Sequence, residues 1–212
     1  MDKLNGNDIK SIFKSIRDVV DLNKAYLIEL DGIMGDGDLG ITMSFGFNKI
    51  TEALDNLNIE DIGMFIMKAG MIMADEAPST LGTLVATGMI KGGKALKGKK
   101  EIDLEDIIEA NKSALNGMME RGKSKRGNKT ILDSLFPALD ALIESKNRGK
   151  NLQEAFNEAY KASREGVENT KIMKSVHGRA AFYGDKSIGN IDAGAVLGSY
   201  LYEGSNNYIQ NL

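Results

Sequence analysis

The sequence predicts an all-α protein, an antiparallel up-and-down helical bundle, and three observations carry that expectation. Two prolines stand against 24 glycines, so long stretches lack a strong helix breaker while glycines gather at Gly32 to Gly40, Gly82 to Gly98 and Gly178 to Gly194. Between those clusters apolar residues recur at intervals of three and four. No segment alternates apolar and polar residues convincingly enough to be a strand. A length of 212 residues fits one domain, residues 1–212, with room for a substantial core.

The first helix is marked by Ile9, Ile12, Phe13, Ile16, Val19 and Val20, with Asn7 placed as its N-cap. Further helices are expected near 23–31, 41–55, 62–74, 81–97, 103–120, 130–146, 151–168 and 192–203, about nine segments in all. Several links are short, which makes sequential neighbours antiparallel. Met64, Met67, Met71 and Met73 are read as core filler. The lysines from Lys91 to Lys100 are read as a solvated face.

Composition narrows the chemistry. The net charge of −3, with 42% hydrophobic and 27% charged residues, describes an ordinary globular chain and disfavours disorder and broad attraction to nucleic acid. The absence of cysteine excludes disulfides, thiolate metal sites and a thiol nucleophile, and the single His177 excludes a paired-histidine metal site. The most apolar stretch, Gly63 to Ala74, is interrupted by Lys68 and falls short of the roughly 18 apolar residues of a membrane span. With no signal-like N-terminal run, the chain is read as cytoplasmic, with neither membrane nor nucleic acid as a partner.

Three glycine-rich segments imitate phosphate loops. Gly35-Asp36-Gly37-Asp38-Leu39-Gly40 is a literal G-x-G-x-x-G, but it follows a helix-like stretch and holds two carboxylates, which repel a bare pyrophosphate. Only a cation reverses that sign. Gly88 to Ala95 ends on Ala95, which lacks the hydroxyl that would hold magnesium, and in Gly122 to Thr130 an asparagine intrudes before the lysine. Neither is a P-loop.

Asp31, Asp36 and Asp38 lie within eight residues. On a regular helix Asp36 would sit about 140° from Asp31, so convergence requires the helix to end among Gly32, Gly35 and Gly37. Three carboxylates without sulfur or paired imidazoles are hard oxygen ligands suited to Mg²⁺ or Ca²⁺. Two readings stand at this point: a metal–nucleotide site, or a solvated acidic turn capping the helix from Ile41. A second cluster, Ala77-Pro78-Ser79-Thr80-Leu81-Gly82-Thr83, opens an apolar helix whose free amides suit a phosphate, or whose Ser79 or Thr80 is a plain N-cap. A third, His177-Gly178-Arg179-Ala180, offers a guanidinium able to grip phosphate bidentately, or a surface ion pair. His177 itself is read as a surface or helix-end residue.

Taken together, these stretches resemble the ADP-binding L subunit family of dihydroxyacetone kinases. The matching residues are Asp31 with Gly35 to Asp38, Gly82-Thr83-Leu84, Gly127-Asn128-Lys129-Thr130 with Leu132-Asp133 and Pro137-Ala138, then Gly178-Arg179-Ala180, Gly184 to Gly189 and Asp192-Ala193-Gly194-Ala195. They occur in family order across nearly the whole chain. The resemblance implies a barrel-like antiparallel bundle of about eight helices that binds ADP or ATP at one end through two Mg²⁺ ions. It assigns Asp31, Asp36 and Asp38 to the metals, and Ser79, Thr80, Gly82, Thr83, Thr130 and Arg179 to the nucleotide, with Arg179 also stabilising the moving phosphate. It implies a partner, a K-type subunit that holds the short ketose through a histidine absent from this chain. The phosphoryl donor is either ATP or a phosphocarrier protein of the sugar phosphotransferase system. Leu39, Leu81, Asn128 and Ala193 depart from the residues common in the family, which are histidine, serine, aspartate and proline. Outside catalysis, the alternative is a nucleotide-binding regulator that keeps the same fold.

Overall fold

The computed structural model describes residues 3–55 and 57–212. Among them are nine α-helices: α1 (Gly6–Leu22), α2 (Lys24–Gly32), α3 (Leu39–Leu54), α4 (Ile62–Glu76), α5 (Thr80–Ala95), α6 (Leu104–Gly122), α7 (Leu132–Asn147), α8 (Leu152–Asn169) and α9 (Ala193–Ile209). Local chemistry fixes the starts of several. Asn5, Asp103 and Asn151 each cap a helix and receive a reciprocal bond from the acid three residues on, closing capping boxes on α1, α6 and α8. The cap of α1 is therefore Asn5 and not Asn7, because Asp8 answers the Asn5 amide at 2.8 Å. Helix α9 runs six residues beyond the expected end at 203, and its Gly204 lies against the Ile16 backbone of α1.

Eight of the nine helices close a ring. Contacts run α1 to α3, α4, α5, α6, α7, α8 and α9, and α9 returns to α1. The short α2 lies outside that ring at one end, against α3 and α9. This explains how about nine segments and an eight-helix barrel are both correct readings. Inside, the staves enclose an apolar cavity of about 250 Å³ lined by residues such as Phe13, Phe47, Val85, Leu115, Leu135 and Tyr202.

Two expectations are corrected. A minimal antiparallel pair exists after all: Leu4–Asn5 (β1) pairs with Glu101–Ile102 (β2) at the far end of the bundle. Two residues per strand are too few to show alternation. The methionines of α4 are not all core. Met73 is fully buried and Met67 partly so, but Met64 and Met71 are about half exposed. The face turned inward is Ile62, Phe65, Ala69 and Met73, which leaves Met64 and Met71, seven residues apart, on the outer side. Lys91, Lys94, Lys97, Lys99 and Lys100 are exposed, as expected.

Packing brings the acidic turn, the start of α5 and the segment that carries Arg179 to one end. Gly46, midway along α3, meets Met73 and Ala77 at the end of α4, which the short link after α3 turns back toward the acidic turn. Gly122, closing α6, approaches Leu84 of α5, and Gly194 of α9 approaches Ile131 before α7. Tyr208 reaches Asp8 while Gly204 meets Ile16, so α1 and α9 are antiparallel and α2 falls at the same end as the start of α9.

Candidate functional site

The acidic turn is built by the end of α2. Gly35 donates to the Asp31 carbonyl at 2.6 Å, and a side chain at position 35 would collide with the Asp31 carboxylate. Gly37 then takes a left-handed conformation, φ +73°, which a glycine adopts without the Cβ penalty. The chain doubles back, and one carboxylate oxygen from each of Asp31, Asp36 and Asp38 comes within 4.8 Å of the others. Asp31 is partly buried; Asp36 and Asp38 are exposed.

The capping role in this turn falls to Asp31, whose Oδ2 accepts from the Leu39 amide at the start of α3 at 3.5 Å. Asp38 occupies the N-cap position of α3, yet its side chain makes no cap bond. The Asp38 carboxyl is raised from its usual value, first by partial loss of solvation and then by repulsion from Asp36 and Asp31, with Arg179 opposing. Three mutually repelling carboxylates, which engage only the Leu39 amide through Asp31 and Arg179 through Asp36, fit a hard divalent cation in their donor chemistry.

Arg179 crosses from the segment between α8 and α9 to pair with Asp36 at 2.6 Å. Two regions 143 residues apart in sequence thus meet at one point. Both side chains are largely exposed, and such pairs contribute only about 0.2–1 kcal/mol, so the guanidinium exchanges one anion for another at little cost.

Ser79 is the N-cap of α5, its hydroxyl accepting from the Gly82 amide at 3.0 Å. Thr80 opens that helix, exposed, and the Thr83 amide is used by the Ser79 carbonyl at 2.9 Å. Gly82 is buried and packs against the Ala77 carbonyl, an approach no other residue permits. Ser79 therefore serves as a cap, as one of its two readings held, while the exposed start of α5 lies at the end of the bundle that carries the acidic turn. Thr130 opens the way into α7: its amide donates to Asp133 at 2.9 Å and its hydroxyl accepts from Leu132 at 3.3 Å.

His177 is partly buried, and its Nε2 lies 3.2 Å from Asn128 Oδ1, so it links the Arg179 segment to the α6–α7 loop. Sequence reasoning treated Asp192 and Lys129 only as motif members. Asp192 caps α9 through Ala195 at 2.8 Å, and burial pushes its carboxyl up to about 7. Lys129 is buried and donates to four backbone carbonyls. A capping pattern before the apolar run at Ala195 marks the first; no local signal marks the second. The three phosphate-loop imitations are rejected by their settings: Gly88 to Ala95 lies inside α5, Gly122 to Thr130 follows α6, and the G-x-G-x-x-G follows α2.

The model of the DAK2 domain matches residues 33–207. The ADP-binding subunit DhaL of the PEP-dependent dihydroxyacetone kinase of Escherichia coli is 29% identical over 178 residues, covering 84% of this chain and 85% of that protein. The corresponding subunit of the PTS-dependent dihydroxyacetone kinase of Lactococcus lactis is 32% identical over 181 residues, covering 85% and 86%. Among solved structures, the dihydroxyacetone kinase of C. freundii in complex with AMP-PNP and Mg²⁺ superimposes with a TM-score of 0.73 at 23% identity, over 98% of this chain and 34% of that one, which shows the fold. The described helices, none long and apolar enough to cross a membrane, agree with that all-α architecture. The chain belongs to the DAK2-domain family, into which the ADP-binding subunits of dihydroxyacetone kinases fall.

Proposed function

We propose that this chain is the nucleotide-binding phosphoryl-transfer subunit of a dihydroxyacetone kinase-like enzyme, a single helical domain that works with a K-type partner holding a short ketose. The observation that carries the proposal is the meeting of Asp31, Asp36 and Asp38 with Arg179 at the same end as the start of α5. Relatives named as ADP-binding subunits, and a structural neighbour holding AMP-PNP and Mg²⁺, support ADP or ATP with magnesium as the ligand.

In this reading Asp31, Asp36 and Asp38 hold two Mg²⁺ ions, which neutralise the charge of the nucleotide phosphates. Ser79, Thr80, Gly82, Thr83 and Thr130 line the nucleotide, the first four by their place at the N-terminus of α5, where amides and the helix dipole favour an anion. Arg179 leaves Asp36 and grips the phosphoryl group in flight, where a planar fork matches three equatorial oxygens. The terminal phosphoryl group passes to a ketose hydroxyl, and the hydroxyl proton leaves to a group on the partner. Phosphoryl transfer asks mainly for positioning and charge neutralisation, so no nucleophile is required from this chain. The names PEP-dependent and PTS-dependent among the relatives favour a phosphocarrier protein as the donor that recharges bound ADP.

Calorimetry with ADP tests the site. Binding in the presence of Mg²⁺ that is lost on chelation is the expected result. Equal affinity in both conditions removes the metal-bridged site.

A further inference from the structure

Residues 174–186, between α8 and α9, carry Arg179 but almost no core of their own. Ser175 is the only buried residue among them, while Val176, Phe182 and Tyr183 face solvent. Such a segment has few apolar contacts to fix its position, so its place must be set by its base.

The base is gathered by one side chain. Lys129 is 3% exposed, and its ammonium lies 2.9 Å from the Thr170 carbonyl, 3.2 Å from Met173, 2.6 Å from Ser187 and 2.6 Å from Asn190. Two of these acceptors precede the segment and two follow it. Three N–H donors serve four carbonyls, so at least one proton is shared. The two ends are also joined directly, Ser175 donating to the Ser187 hydroxyl at 2.9 Å and Gly189 to the Lys171 carbonyl at 2.7 Å. Lys129 does this from a left-handed backbone, φ +59°, a conformation in which glycine would be the less strained residue. Its neighbour Asn128 meets His177, two residues before Arg179.

We infer that Lys129 is a positioning residue, a buried ammonium clamp that closes the base of the 174–186 segment and so places Arg179 over the acidic turn. A charged donor is suited to this because hydrogen bonds from an ammonium to carbonyls are the stronger, charge-assisted kind, and because four carbonyls converging in the interior need a cation to satisfy them. Its role in catalysis rests on the proposed phosphoryl transfer; its role as a clamp does not.

The test is hydrogen exchange on the full chain, read at the amides of Met173, Ser175, Ile188 and Gly189, for Lys129→Met and for the milder Lys129→Gln. Those amides are expected to exchange at least tenfold faster in Lys129→Met, with amides of the ring helices within twofold of the parent. Lys129→Cys supplies a rescue: the chain has no other cysteine, so alkylation with 2-bromoethylamine rebuilds a near-isosteric ammonium there alone, and exchange should return to within twofold. With the partner subunit, kcat should fall at least tenfold while the dissociation constant for ADP with Mg²⁺ changes less than threefold, and adding Arg179→Lys should lower kcat less than twofold further. Parent-like exchange in both variants overturns the inference, as does faster exchange with unchanged kcat. Loss of folding in both also overturns it, because Lys129 would then specify the whole bundle and not the segment. If no partner activates the parent chain, the proposed function fails and the clamp is judged on exchange and its rescue alone.

Discussion

Substituting Asp36 by asparagine separates a ligand site from a structural turn, because the two assign opposite signs to its effect on folding. The Asp36 oxygen lies within 4.8 Å of its counterparts in Asp31 and Asp38. At that distance two unit charges repel by about 0.9 kcal/mol in a water-like dielectric, so two neighbours cost about 1–2 kcal/mol together. The exposed pair with Arg179 returns about 0.2–1 kcal/mol. The Asp36→Asn chain should therefore be as stable as the parent or more so by up to about 1 kcal/mol, a rise of roughly 2–4 °C at most for a chain of this size. A bound dication about 4 Å from the lost charge would forfeit about 2 kcal/mol, so affinity for ADP with Mg²⁺ should fall about 30-fold. Thermal unfolding without metal and calorimetry with Mg²⁺ and ADP measure the two arms. A lower melting temperature with unchanged nucleotide affinity would make the turn structural and remove Asp36 from the ligand site.

Arg179→Lys keeps the charge and loses the fork, so turnover with the partner should fall by at least tenfold while ADP affinity changes little; a loss of affinity alone would make Arg179 a ground-state contact. Asp192, which faces Lys129 and Asp133, has a folded pKa near 7 against an unfolded value near 3.8, because burial outweighs its bonds to Ala195 and Gly194 and its attraction to Lys129. A carboxyl raised on folding contributes stability fully present below about 3.8 and lost as pH rises toward about 7. Asp192→Asn keeps the cap acceptor and removes the titration, so denaturant unfolding across pH 4–7 should show a flatter profile in the variant. An equally steep decline in both chains would assign the dependence to other groups.

The ring helices were legible because each must turn one apolar face inward, and a spacing of three and four records that face in a single stretch of chain. Ile9 through Val20 is an example, and the core lies where that spacing placed it. The acidic turn was legible for a related reason: Asp31, Gly35, Asp36, Gly37 and Asp38 are close in sequence, so their types alone state that a helix ends and carboxylates gather. What the residues could not disclose by spacing is the crossing of Arg179 to Asp36, since the fold and not the chain makes them neighbours; it was the likeness to a family that grouped them. Lys129 was illegible by the same rule, its acceptors lying 41 to 61 residues away. The β1–β2 pair joins residues almost a hundred apart through two-residue strands. The α4 methionines misled because Met64 and Met71 are as apolar as Phe65 and Met73, and only the packing partner decides which stripe faces in.

In the proposed function this chain carries the nucleotide and borrows its acceptor from another subunit. The direct measurement is ketose phosphorylation by the purified chain, supplied with Mg²⁺ and either ATP or a phosphorylated phosphocarrier protein, with dihydroxyacetone as acceptor, in the presence and absence of a K-type subunit. No product is expected from the chain alone, and turnover is expected when the K-type subunit is added. Efficient phosphorylation by the isolated chain would contradict the proposed function by placing the acceptor site within these helices, and silence with every K-type subunit would leave nucleotide binding in the service of regulation.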